Sequence, residues 1–121
     1  MQPLVGYEGL TAPKLLRALG GDRELLLEII ELFEREAPAM LTAVRRHARD
    51  ANADALAQAA HVLKGSVANF GMSPLYEVSR EIEDRAFAGD LSTVPSLLAR
   101  FDTIAAEFMQ ALARLHVEVK S

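Results

Sequence analysis

Apolar residues recur every three or four positions through most of this 121-residue chain, and the runs are punctuated by glycines and capping residues. That rhythm confines the chain to helices. A short segment, Ala12 to Leu19, stops at Gly20-Gly21, where a glycine can take the left-handed cap conformation. Asp22 is placed to cap a long helix reaching about Arg49, with Leu25, Leu26, Ile29, Phe33, Ala37, Met40, Leu41 and Val44 as its apolar residues. Pro38 lies inside this helix and should kink it, because it removes a backbone donor and clashes one turn back. Asn52 caps the next helix, Ala53 to about Phe70, which Gly71 ends.

Ser73-Pro74 then gives an N-cap followed by proline at the first helical position, a start signal for a helix to about Ala88 on Leu75, Val78, Ile82 and Ala86. After Gly89-Asp90, Ser92 is read as the cap of a last helix with Pro95 in its first turn. Its apolar positions are Leu98, Phe101, Ile104 or Ala105, Phe108, Leu112 and Leu115. Four substantial helices on short connections predict an all-α fold, an antiparallel up-down-up-down four-helix bundle with a short N-terminal helix. A single domain over 1–121 is expected, with its core at about 12–115 and the first ten and last four residues loose. Four apolar stripes matching four elements predict a monomer.

Composition narrows the function. The net charge of −4 argues against nucleic acid or an anionic membrane as the main partner. With no cysteine, disulfides, thiol catalysis and thiolate metal sites are excluded, and a reducing compartment is favoured. The N-terminus lacks the charged region and apolar run of a signal peptide, and Leu25-Leu26-Leu27 is broken by Glu28, so no membrane span is expected. A cytoplasmic location follows as an expectation. No glycine-rich phosphate loop is present, so no ATP site is expected.

One helix carries an oddity. With about 100° of turn per residue, Ala59, Ala60, Leu63, Val67 and Phe70 fall within about 60° of Leu56, a buried stripe. His61 lies about 140° from Leu56 on that count, on the outer face, with Ala57, Gln58, Gly65 and Ala68 around it. Solvated helix faces normally carry long charged side chains; this one is a clearing. Gly65 costs a helix interior about 1 kcal/mol relative to alanine. It faces away from the core, so approach from outside is the better reason for it. Lys64, read as an exposed lysine, is placed to meet negative charge on the ring.

These features suit nucleophilic chemistry. Neutral imidazole offers a free ring nitrogen near neutrality, a nearby ammonium favours that neutral form, and residues 60–67 contain no acid to oppose it. Should a phosphoryl group arrive, the same ammonium meets its charge. A helical metal pair needs a second ligand one turn away, whereas positions 57, 58, 64 and 65 offer Ala, Gln, Lys and Gly. No metal site is expected. His47 and His116 receive no role, Ser66 is read as a packing or hydrogen-bonding residue directed at a neighbouring helix, and Gly71 as a helix stop.

The residues His61, Leu63, Lys64, Gly65, Ser66, Asn69 and Gly71 match the central pattern of histidine-containing phosphotransfer (HPt) domains, His-x-Leu-Lys-Gly-Ser followed by Asn-x-Gly. Leu19-Gly20-Gly21-Asp22, Leu32-Phe33, Ala37-Pro38, Glu81-Ile82-Glu83 and Gly89-Asp90-Leu91 also resemble that family, over roughly residues 12–115. The resemblance implies a phosphoryl carrier between aspartyl-phosphate receiver domains. In that scheme His61 is phosphorylated on Nε2, Lys64 steadies the phosphoryl group, and Gly65 lets the receiver close over it. Ala57, Gln58, Lys64, Gly65 and Ala68 form the docking patch. The chain needs no cofactor of its own, since the partner receiver brings the divalent metal.

A sensor-kinase dimerisation helix usually carries an acid directly after the phosphorylated histidine; Val62 stands there instead. Two alternatives stay open: the phosphotransfer domain of a chemotaxis-type kinase, and a non-catalytic helical adaptor that docks a receiver without exchanging phosphate. A bundle holding a metal or small cofactor would want inward polar ligands, which the apolar stripes lack.

Overall fold

A computed structural model describes residues 6–121, and within them every regular element is helical. The α-helices are α1 (Ala12–Ala18), α2 (Arg23–Arg49), α3 (Ala53–Val67), α4 (Pro74–Phe87) and α5 (Val94–Lys120), with a 3₁₀ turn, Ala68–Phe70, continuing α3. Three of the expected caps close as hydrogen bonds. Asp22 accepts from the Leu25 amide, Asn52 from that of Ala55 and Ser73 from that of Tyr76, at 3.0, 3.2 and 3.2 Å. Gly71 stops the 3₁₀ turn at φ 84°, a conformation that favours glycine. Helix α2 continues through Pro38 to Arg49 as one element.

Three local expectations are corrected. Thr93, not Ser92, precedes the first turn of α5, and it makes no side-chain cap bond. Ser92 is already engaged, because Asp90 Oδ1 accepts from both its amide and its hydroxyl, at 3.1 and 2.6 Å. The buried stripe of α2 runs through Leu26, Ile30, Phe33, Ala37, Leu41 and Val44, so Ile30 replaces Leu25, which is exposed, while Ile29 and Met40 flank the core. In α5 the stripe begins at Val94 and Leu97, with Leu98 and Ile104 at its margin.

Helix α2 packs on α3, α3 on α4, α4 on α5, and α5 back on α2. The last pair runs antiparallel: Arg45 meets Asp102 near the start of α5, while Arg23 Nε donates to the Val119 carbonyl at its end. The core between the helices centres on an edge-to-face aromatic cluster, with Phe33 5.5 Å from Phe70 and 5.4 Å from Phe108, and Phe70 5.9 Å from Phe108. Burying each such ring contributes roughly 2–3 kcal/mol.

Residues on both sides of the expected core are anchored to it. Tyr7 is buried against Phe108, and its hydroxyl donates to the Ile104 carbonyl at 3.2 Å. Burial first, and the Glu107 carboxylate second, push its phenol up to about 12. At the other end α5 reaches Lys120 with Val119 buried, and Glu118 accepts from the Ala12 amide at 2.6 Å. The packed core therefore extends past the expected bounds in both directions; of the expected loose N-terminus, residues 1–5 lie outside the described residues.

Candidate functional site

Helix α3 buries Leu56, Ala60, Leu63 and Val67, as its periodicity requires, and Phe70 follows on the 3₁₀ turn. That leaves His61 on the outer side with 67% of its side chain exposed. Gln58, Gly65 and Ala68 are exposed on the same side, while Ala57 is half-buried. A Cβ built on Gly65 meets nothing within 4 Å, so no contact inside the chain explains this helix-interior glycine.

The surroundings of the ring differ from the local sequence reading. An acid does reach it, from the neighbouring helix: Glu83 of α4 places Oε2 2.7 Å from His61 Nδ1 and Oε1 2.6 Å from Lys64 Nζ. A carboxylate only accepts, so Nδ1 carries the hydrogen in this bond. In the neutral imidazole the lone pair then sits on Nε2. Lys64 is accordingly no free surface lysine. Its side chain is only 22% exposed, and its ammonium is held by the carboxylate that holds the histidine.

The charge balance of this triad follows from its contacts. Burial pushes the Glu83 carboxyl up, but hydrogen bonds from Lys64 and His61 outweigh it and leave the group below the ordinary carboxylate range. The hydrogen bond to Glu83 raises Lys64 in turn. One carboxylate thus divides its charge between an ammonium and an imidazole.

Glu83 carries no mark of this role within the α3 sequence, since a helical count orders residues around one helix only. The signal lay in the turn. Helices α3 and α4 fold back on each other, and His61 and Glu83 each lie eleven residues from Met72, hence level across the pair. Phe87, one turn beyond Glu83, is likewise unmarked by the α3 count. It borders a hollow of about 330 Å³ shared with Asp54, Ala57, Gln58, His61 and Glu83. On the other flank of α3 a groove of about 360 Å³ runs against α2, lined by Met40, Ala43, His47, Gln58, Ala59 and Val62 among others. Gln58 is common to both.

The remaining histidines are placed differently. His116 has Nδ1 2.8 Å from Glu34 and Nε2 3.3 Å from Glu31, with both ring nitrogens facing carboxylates of α2. His47 borders the groove between α2 and α3. Ser66 faces α2 beside Ile29, Phe33 and Asn69.

Fold and site together define a helical domain that displays a histidine on its surface. The family model for the Hpt domain matches residues 28–116, and the chain belongs to that family. Hpt domains are phosphotransfer modules of two-component phosphorelay signalling, phosphocarriers that interact with receiver domains. No curated protein and no solved structure matches the chain. Among the described residues no helix is long and apolar enough to cross a membrane.

Proposed function

We propose that this chain accepts a phosphoryl group on Nε2 of His61 from an aspartyl-phosphate receiver domain and passes it to a response regulator. The observation that carries this reading is the bond from Nδ1 to Glu83, with most of the ring open to solvent. It holds the imidazole in the tautomer and orientation whose lone pair points outward. In the transfer step Nε2 attacks phosphorus, the bond from phosphorus to the aspartyl oxygen breaks, and the aspartate leaves as a carboxylate. The ring gains positive charge, which Glu83 offsets, while Nδ1 keeps its proton. The loose transition state demands positioning more than covalent chemistry from this side. The receiver brings the divalent cation.

Lys64 balances Glu83 before transfer, and sharing that carboxylate with His61 suits its ammonium to answer the incoming phosphoryl charge. Gly65, with open space where a side chain would stand, admits the receiver's surface, and Ala57, Gln58, Lys64, Gly65 and Ala68 make up the docking patch on α3. The scaffold in this reading is an up-down-up-down four-helix bundle, acting as a cytoplasmic monomer without an ATP site. The antiparallel α2–α5 pair and the ring of packed neighbours support that topology.

The test is transfer from a receiver domain charged with acetyl phosphate. The wild-type chain should acquire acid-labile phosphate, and His61→Gln should acquire none. Equal labelling of His61→Gln contradicts the assignment. Binding of the receiver without any labelling of the wild type would favour the adaptor reading.

A further inference from the structure

We propose that Phe87, at the end of α4, is an apolar anchor for the receiver domain beside His61; this rests on the phosphotransfer reading above. Phe87 is 87% exposed, more than any other large apolar side chain among the described residues. A single exposed apolar residue is ordinary on a protein surface and by itself means little. What distinguishes Phe87 is position. It shares the rim of one hollow with His61 and Glu83, and Ala57 and Gln58 supply that hollow's low wall on α3.

Geometry selects the occupant. For Nε2 to attack phosphorus, the partner's phosphoaspartate must come within about 3–3.5 Å of the ring. A specific complex buries about 800 Å² on each partner, a patch roughly 16 Å in radius if circular. His61 is itself part of the wall of this hollow, so a body seated over Nε2 covers the hollow and Phe87 with it. A phenyl ring buries about 150–250 Å² and is the kind of side chain that dominates interface energetics. The occupant is therefore the receiver domain, presenting an apolar surface to Phe87. The aromatic takes no part in the phosphoryl chemistry.

The experiment compares wild type, Phe87→Ala, Phe87→Leu and Val117→Ala. Val117 is also exposed, at 68%, but it lies on α5 and has no place in the hollow. Initial transfer rates are measured against concentration with an acetyl-phosphate-charged receiver that discharges to the wild-type chain. Phe87→Ala should raise the half-saturating receiver concentration about tenfold or more, the range expected for an interface anchor. Phe87→Leu should recover part of the loss, and Val117→Ala should match wild type. Wild-type concentration dependence in Phe87→Ala, or an equal loss in Val117→Ala, overturns the proposal. So does a wild-type dimer, seen by sedimentation, that Phe87→Ala dissociates, since the ring would then belong to a second copy. Phosphoramidate, a small donor that needs no docking surface, separates the two failures. If it labels the wild type at His61 while Phe87→Ala transfers normally, only the anchor is wrong. If neither donor labels His61, the phosphotransfer reading falls first and the anchor with it.

Discussion

At the scale of single residues, Glu83 turns an exposed histidine into a positioned one. An imidazole on a helix face rotates freely and exchanges tautomers. A bond of 2.7 Å from Nδ1 to a carboxylate of α4 favours one orientation and one tautomer. Carboxylates that orient metal-ligating imidazoles are worth about 10- to 100-fold in affinity or activity, and the same positioning role sets the scale for Glu83. Glu83→Ala should therefore slow transfer from a charged receiver by roughly tenfold or more. Glu83→Gln, whose amide oxygen can still accept from Nδ1, should retain more activity than the alanine variant. Equal rates in Glu83→Ala and wild type would reduce the carboxylate to a structural tie. His61 was legible in the sequence because its neighbours around one helix are countable. Glu83 was not, because its contribution depends on how two helices are set against each other.

At the scale of elements, α3 and α4 are tied by the carboxylate that serves the site. Glu83 lies below its ordinary range when folded, so its contribution to stability is complete above the unfolded value, 4.5, and fades as pH falls through the folded one. The stability difference between wild type and Glu83→Gln, followed by denaturant titration, should stay level above 4.5 and close on further acidification. A gap that widened on acidification would contradict the assignment of charge. Gly65 makes the complementary point about α3. Because nothing outside the adjoining backbone of α3 lies within 4 Å of its missing Cβ, Gly65→Leu should keep the fold and raise stability by up to about 1 kcal/mol. Transfer should fall about tenfold or more, the equivalent of ~1.4 kcal/mol. Unchanged circular dichroism together with wild-type transfer would remove close approach as the reason for the glycine. Helix starts at Asp22, Asn52 and Ser73 were readable because a cap is a local contact. Ser92 misled because Asp90, two residues earlier, took its hydroxyl. Leu25 misled because α2 has more apolar residues than its buried face can hold, and packing against α3 and α5 selects among them.

At the scale of the whole molecule, residues near both sides of the described chain are fastened to the core. Tyr7 joins the Phe33, Phe70 and Phe108 cluster, and Val119 and Glu118 fasten the last turn of α5 to the start of α2 and to α1. Tyr7 was not legible, because a lone tyrosine in a glycine-rich stretch shows no period; Val119 does continue the spacing of Phe108, Leu112 and Leu115, and only the flanking Glu118 and Lys120 set it apart from that stripe. The all-helical class was legible, since it needs only the periodicity and the stops. The phosphotransfer reading turns on one atom, Nε2 of His61. It is tested most directly by phosphorylating the ¹⁵N-histidine-labelled chain through a charged receiver and recording phosphorus–nitrogen coupling by NMR. A single phosphohistidine is expected, at His61, bonded through Nε2, with Nδ1 still protonated. Phosphate on Nδ1 of that ring, or on His47 or His116, would contradict it.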